Sequence, residues 1–268
     1  MKYGVIGVGV VGGAMLRSFQ EKVSGSEIVI AGYDKYKGIG TFEEMLDCDA
    51  VFLSLPTLYS KELQMYDKSS INEVCQDLAK HGYQGLVVIK STVEPQTTEN
   101  LSRSTGLSLV HNPEFLTAST AYEDFHDQRH IVIGSTATTK PEHLAGLQEF
   151  YATYYPNAEF TICTATESET TKISCNVFYA VKIQYFNEIY LLCQKIGADY
   201  DTVIAAMLKN GWINPMHTQV PGTDGELSYG GMCFPKDTNA LNSLMKLMNL
   251  PHAVLDAAIR ERNTFRSD

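Results

Sequence analysis

Cys233 stands in Tyr229-Gly230-Gly231-Met232-Cys233-Phe234-Pro235-Lys236-Asp237, where two glycines lead into a thiol and a proline opens a helical run. Proline suits the first helical turn because the N–H it lacks is one the turn leaves unsatisfied anyway. A cysteine at such an entrance meets the partial positive charge of the helix end, and Lys236 adds to it. Both favour the thiolate, the nucleophilic form of the side chain. Asp237 falls four residues on, placed to accept a proton from water or to position one. Local spacing leaves a second reading open, with Cys233 a small buried hydrophobe and Asp237 a charge that suits a helix N-terminus.

Lys172 and Asn176 are four residues apart in a helical stretch and so share a face, and Asn187 falls near the same side three turns on. A solvated lysine and a hydrogen-bonded asparagine is the plainer reading of that pair. Lys90-Ser91-Thr92-Val93 and His111-Asn112-Pro113-Glu114-Phe115 each follow a strand, at the end where open parallel sheets bind ligands. Glu114 also reads as an ordinary turn carboxylate after Pro113. Residues 210–228 contain His217 and the turn-like Pro221-Gly222-Thr223-Asp224-Gly225, but no metal-ligand spacing, so no metal is expected.

The cofactor signal is Gly7-Val8-Gly9-Val10-Val11-Gly12, after a strand and before a helical segment over residues 13–21. The first glycine of such a motif permits the tight turn, the second lets backbone approach a pyrophosphate, and the third allows close helix packing. The helix N-terminus then attracts the phosphate charge. Asp34 ends the second strand, where a carboxylate meets the adenosine ribose hydroxyls and would repel a 2′-phosphate. This combination predicts NAD rather than NADP, a preference that the neighbouring Lys35 and Lys37 soften. A glycine turn serving packing alone, with Asp34 a turn residue, is the alternative.

The elements that must hold these residues read as an α/β fold. Short apolar runs at 3–8, 28–33, 50–53, 86–89, 107–110 and 130–133 alternate with helical stretches, a βαβ series. Leu86-Val87-Val88-Ile89 is continuously apolar, as a strand covered on both faces should be, so the expected sheet is central and parallel. From about residue 166 to 196 the pattern is helical; at ~1.5 Å per residue that is a rod of ~45 Å. Its apolar residues, Ile173, Val177, Val181, Phe186, Ile189, Leu192 and Ile196, cover more than one stripe, which predicts burial against several partners and a homodimer. Further helices are expected at 200–209, 238–248 and 252–265. The expected organisation is a Rossmann-type doubly wound domain over residues 1–163 and a small all-helical substrate and dimerisation domain over residues 164–268.

A net charge of −10 over 268 residues argues against nucleic acid or an anionic membrane as partner, and requires a local basic pocket for any anionic substrate. Six cysteines without a CxxC pair or a disulfide spacing suit a reducing cytoplasm. No apolar run approaches the ~18 residues of a membrane span, and the chain opens on a strand rather than a leader, so a soluble, unprocessed protein is expected.

Together these segments resemble the UDP-glucose 6-dehydrogenases within the UDP-glucose/GDP-mannose dehydrogenase family. The resemblance is carried along nearly the whole chain by Gly7 to Gly12, Leu55-Pro56-Thr57, Ser91-Thr92-Val93, Asn112-Pro113-Glu114-Phe115-Leu116, Lys172 with Asn176, and Gly230 to Asp237. It implies oxidation of a primary alcohol to a carboxylate by two hydride transfers to NAD, as in UDP-glucose to UDP-glucuronate, through a thiohemiacetal and a thioester on Cys233. Lys172 and Asn176 would contact the sugar and stabilise oxygen charge. Asp237, Glu114 and Thr92 would handle water and protons. Gly7 to Gly12, Asp34, Lys35, Leu55, Pro56, Thr57, Ser91, Thr92 and Lys236 would line the cofactor. Glu114, Phe115, Leu116, Lys172, Asn176, Tyr229 and Gly230 would line the substrate.

The resemblance also sets expectations where this sequence departs from the family. Members continue past the equivalent of Arg266 into a further domain that helps hold UDP, so a short form is expected, with the 210–228 loop, a dimer partner or a separate chain completing that site. Ala118 stands where a second glutamate is frequent, Ser228-Tyr229 replaces Gly-Phe, and the 210–228 loop lacks the family's arginine, which points to altered substrate choice or reduced activity. Surface polysaccharide supply is the implied pathway. Two rivals stand beside this: a 3-hydroxyacid dehydrogenase, which makes one NADH per substrate and needs no Cys233, and a non-catalytic NAD- or nucleotide-binding module, which binds without turnover.

Overall fold

The computed structural model describes residues 1–267. They form two compact units, one of residues 1–58 and 67–172, the other of residues 59–66 and 173 onward.

The first unit is built on a seven-stranded sheet. Its strands are β1 (Lys2–Ile6), β2 (Val29–Tyr33), β3 (Ala50–Leu53), β6 (Leu86–Ile89), β7 (Ser108–His111), β8 (His130–Ser135) and β9 (Glu159–Thr164), in the order β2-β1-β3-β6-β7-β8-β9. The helices of this unit are α1 (Val10–Lys22), α2 (Phe42–Leu46), α3 (Ser69–Lys80), α4 (Thr97–Thr105), α5 (Ala121–His126) and α6 (Pro141–Tyr154). Successive strand residues face opposite ways, and both faces are covered. Phe52, Val88 and Val110 pack with Phe19 of α1 and Phe150 and Tyr151 of α6. Val51, Leu53, Val87, Ile89 and Leu109 pack with Ile71, Cys75 and Leu78 of α3 and Leu101 of α4. This is the expected Rossmann-type α/β architecture.

The sheet departs from the all-parallel expectation at one place. β1, β2, β3, β6 and β7 run parallel, but β8 is antiparallel to β7, and β9 follows β8 in parallel. An antiparallel neighbour is entered from the end at which the previous strand stops, so no crossover is needed. Residues 112–129 therefore stay at the carboxyl end of the sheet, and the Asn112-Pro113-Glu114-Phe115 turn stays with them. The strand β9 is an addition to the expected series; four of its six residues are exposed and the other two half-buried.

Helix α7 (Ala165–Ile196) is unbroken for 32 residues, in agreement with the long helical stretch read from the sequence. Its first two turns are tied to the first unit. Ser168 Oγ lies 2.8 Å from His111 Nδ1. Glu169 accepts the N–H groups of Gln96 and Thr98, both at 2.7 Å, and so closes the N-terminus of α4. The two compact units divide at Lys172/Ile173, within the helix.

The second unit comprises the rest of α7, α8 (Tyr200–Leu208), α9 (Phe234–Leu247), α10 (Ala253–Phe265) and a short hairpin of β4 (Tyr59–Ser60) and β5 (Met65–Tyr66). The hairpin lies within the sequence of the first unit but packs in the second: Tyr66 joins Ile173, Val177, Ala240 and Leu255 in one buried cluster, and Tyr59 Oη is 2.8 Å from Ser243 Oγ of α9. A second cluster holds Phe186, Cys193, Tyr200, Ile204 and Val220. Among the described residues no helix is long and apolar enough to cross a membrane.

Candidate active site

The glycine turn joins β1 to α1. Gly7 adopts φ +89°, a left-handed conformation that a side chain disfavours. A Cβ on Gly12 would collide with the Gly7 carbonyl oxygen, so this glycine is required by the protein's own packing. Gly9 is different. Among the described residues, a Cβ there would meet nothing within 4 Å, and no side chain caps the helix that starts at Val10. The open space beside Gly9 and the uncapped first-turn N–H groups are what a pyrophosphate needs. Asp34, just past β2, accepts from the Val8 N–H at 3.0 Å and from Tyr36 and Lys37 N–H at 3.0 and 3.1 Å, which fixes its carboxylate beside the turn. Lys37 Nζ donates to the Val8 carbonyl at 2.6 Å. Lys35 pairs with Glu73 at 2.8 Å on the surface. The turn, the helix end and the carboxylate fit a dinucleotide with unmodified ribose hydroxyls.

The loops after β3 and β6 are stitched together. Ser91 Oγ accepts the Leu55 N–H at 2.9 Å and donates to the Leu55 carbonyl at 2.7 Å, while Thr57 Oγ1 donates to the Thr92 carbonyl at 2.7 Å. Leu55, Pro56, Thr57, Ser91 and Thr92, all expected near the cofactor, are thus on two mutually braced turns.

Beyond β7, Glu114 spans two partners. One carboxylate oxygen is 3.3 Å from Lys172 Nζ, the other accepts the Leu116 N–H at 2.6 Å. The ammonium of Lys172 also lies 5.2 Å from the centre of the Phe115 ring, a cation–π distance. Lys172 and Glu114 are largely shielded from solvent, with 5% and 13% of their side chains exposed. His111 is fully buried, and desolvation pushes its pKa down to about 3, so the imidazole is neutral. Its Nε2 faces the Ser91 carbonyl, which can only accept, so Nε2 carries the hydrogen and Nδ1 accepts from Ser168.

In the second unit Cys233 is the residue before α9, and its carbonyl accepts the Asp237 N–H at 3.0 Å, the first bond of that helix. It is exposed, whereas Cys48, Cys75 and Cys193 are buried and Cys163 and Cys175 half-buried. Burial pushes the Cys48 and Cys75 thiols up to about 11 and about 12. The thiol placed at a helix N-terminus is therefore also the accessible one.

Asp237 is completely buried. It accepts from the Tyr66 hydroxyl, from Lys236 Nζ at 2.5 Å and from Asn176 Nδ2 at 2.6 Å. Lys236 Nζ also lies 4.6 Å from the Tyr66 ring centre. A buried carboxylate with three donors is a fixed point that orients Asn176 and Lys236. The loop before Cys233 is held from α10: Arg262 Nε donates to the Tyr229 carbonyl at 3.1 Å, and the Arg266 guanidinium pairs with Asp224 at 2.7 Å and packs against Gly230. Tyr229, expected at the sugar, is buried beneath this loop with 2% exposure. Asn187 holds the same loop further back, accepting the Ser228 N–H at 2.8 Å.

Two residues of these constellations, Tyr66 and Arg262, do not stand out in the sequence as functional candidates. Tyr66 comes from a hairpin with two-residue strands, too short to show any periodicity. Arg262 is one of several charges on α10 and carries no signal of its own.

Comparison with known proteins identifies the family. Residues 34–155 match the NAD binding domain of the UDP-glucose/GDP-mannose dehydrogenase family, and residues 166–264 match the central domain of the same family. The chain belongs to this family. Like other members of the UDP-glucose/GDP-mannose dehydrogenases, it carries the NAD binding domain followed by the central domain. It is similar to a UDP-glucose 6-dehydrogenase of Rickettsia bellii, 34% identical over 81% of this chain and 50% of the relative. It is also similar to the UDP-glucose 6-dehydrogenase YwqF of Bacillus subtilis, 32% identical over 82% of this chain and 49% of the relative. The chain thus spans about half the length of these relatives. Among solved structures, a UDP-glucose dehydrogenase from the archaeon Pyrobaculum islandicum superimposes with a TM-score of 0.85 at 26% identity, over 98% of this chain and 68% of that one.

Proposed function

We propose that this chain takes part in NAD-dependent oxidation of a nucleotide sugar, UDP-glucose to UDP-glucuronate, with Cys233 as nucleophile. The observation that carries the reading is an exposed cysteine at the N-terminus of α9, one turn before a buried aspartate that fixes Asn176 and Lys236. When bound, NAD accepts a hydride from the sugar's primary carbon at each of two oxidations. In the first, Lys172 and Asn176 stabilise the alkoxide as its proton passes to water by way of Glu114 and Thr92. The Cys233 thiolate then adds to the aldehyde carbon, forming a C–S bond and a thiohemiacetal. Loss of the second hydride from that carbon leaves a thioester. Water adds, the C–S bond breaks, the thiolate returns to Cys233 and the carboxylate departs. Asp237 holds Asn176 and Lys236 at their stations throughout.

Pairing as a homodimer along α7 is part of the proposal. Phe178, Tyr185 and Leu192 recur at sevens along the helix, are followed by Ile196, and are 49–66% exposed. Such a stripe is apolar surface that a second copy would remove from water. The nucleotide moiety is proposed to be UDP, with the 210–228 loop, a dimer partner or a separate chain completing its site.

The test is NADH formation by the purified protein with UDP-glucose and a panel of other nucleotide sugars. Two NADH per UDP-glucose consumed are expected. One NADH per substrate, or binding without turnover across the panel, rejects the reading.

A further inference from the structure

Lys90 lies at the carboxyl end of β6, and its side chain is buried to 2% exposure with no carboxylate among the described residues bonded to its ammonium. Its Nζ donates to Asn112 Oδ1 at 3.0 Å and to the Pro113 carbonyl at 3.3 Å, and sits 5.5 Å from the Phe125 ring centre of α5. Asn112 is itself pinned from three sides: Oδ1 also accepts the Tyr151 hydroxyl of α6 at 2.7 Å, and Nδ2 donates to the Val132 carbonyl of β8 at 2.6 Å. An asparagine and an aromatic hydroxyl would have sufficed for a rigid turn. Burying a lysine there costs more than burying a neutral donor, so its charge calls for a separate explanation.

Glu114 supplies it, two residues beyond Asn112. The turn that Lys90 anchors delivers Glu114 to Lys172. Lys90 feels the Glu114 carboxylate as an attraction and the Lys172 ammonium as a repulsion, so the three form a buried plus–minus–plus set. The remaining titratable groups facing it are His111, kept neutral by burial, and the Tyr151 phenol, whose pKa burial raises far above the ordinary range. We propose that Lys90 is a positioning residue. It holds the Asn112–Pro113 turn so that Glu114 meets Lys172, and its ammonium sets how much of the Glu114 charge is left to neutralise Lys172. Burial pulls the Lys90 pKa down to about 7, so this contribution changes across neutral pH. The catalytic consequence rests on the nucleotide-sugar reading; the positioning itself does not.

Two variants and two measurements test this. Lys90→Met keeps the unbranched chain to within one atom and removes both hydrogen bonds and the charge. Tyr151→Phe removes the other bond to Asn112 Oδ1 and leaves Lys90 in place. Hydrogen exchange of the amides at 114–117 is expected to quicken at least ~10-fold in Lys90→Met, with β6 and β7 still protected, and to change little in Tyr151→Phe. For turnover, the pH profile of kcat/KM is expected to carry an inflection near neutrality that persists in Tyr151→Phe and disappears in Lys90→Met, while NAD affinity stays within about twofold. Unchanged exchange at 114–117 in Lys90→Met, or equal effects of the two variants on the pH profile, overturns the proposal. A wild-type protein that makes no NADH from any nucleotide sugar rejects the dehydrogenase reading instead, and the exchange measurement still decides the role of Lys90.

Discussion

Asn176 and Asp237 are joined at 2.6 Å, the amide of one donating to the carboxylate of the other, and the aspartate is completely buried. Two further donors, the Tyr66 hydroxyl and the Lys236 ammonium, also bond to it. A buried carboxylate so supplied fixes its neighbours, and a positioning role for Asp237 is proposed beside the water and proton handling that the resemblance implies.

Asp237→Asn keeps the shape and removes the charge. It is expected to cost about 3 kcal/mol of stability, because the Lys236 ammonium loses its counter-charge in a largely buried setting, and to lower turnover more than NAD affinity. Tyr66→Phe removes one neutral donor and should cost about 1 kcal/mol. Urea unfolding and NAD titration of the two variants check both.

The glycine turn gives a second contrast. In Gly12→Ala the new methyl would collide with the Gly7 carbonyl oxygen, and backbone has to move. The variant is expected to lose more than about 2 kcal/mol of stability together with NAD binding. Gly9→Ala has open space around the methyl and should fold with near-native stability while weakening NAD by roughly tenfold or more, since the methyl occupies the room a pyrophosphate requires. Thermal unfolding and fluorescence titration with NAD separate the two; a Gly9→Ala protein with undiminished affinity would contradict the cofactor assignment.

Particular residues show how much of the fold and site is legible in the sequence. The turn, Asp34 and α7 are readable because glycine spacing and helical periodicity are local properties that the fold preserves. Pro235 correctly marks Cys233 as standing at a helix entrance. The antiparallel step at β8 is not legible: a strand's direction depends on which end the chain returns to, and an apolar run such as Ile131-Val132-Ile133 is the same in either sense. Tyr66 is hidden because its partners, Asp237 and Ala240, lie more than 170 residues away in sequence. The division inside α7 is hidden for the opposite reason, since Ser168 and Glu169 have the composition of any helical surface and only their bonds to His111 and to the start of α4 show which unit they serve.

Two buried bases contribute to the pH dependence of stability. The pKa of His111 falls from 6.5 to about 3 on folding, and that of Lys90 from 10.5 to about 7, in each case chiefly by desolvation. Between the folded and unfolded values the unfolded chain binds the extra proton, so stability rises with pH from about 3 to 6.5 for His111 and from about 7 to 10.5 for Lys90. Below each folded value the cost of charging the buried group is fully present. Urea midpoints of wild type and Lys90→Met are expected to diverge in the upper window: Lys90→Met has its greatest relative stability below about pH 7 and loses that advantage as pH approaches about 10. Parallel curves across that range would show that Lys90 stays protonated in the fold.

The most direct trial of the central claim compares wild type with Cys233→Ala in the presence of UDP-glucose and excess NAD, counting NADH against sugar acid formed. Wild type should yield two NADH per acid, and Cys233→Ala should form no acid above background while binding NAD normally. A Cys233→Ala protein that still makes the acid at a rate near wild type would show that the thiol is not the nucleophile.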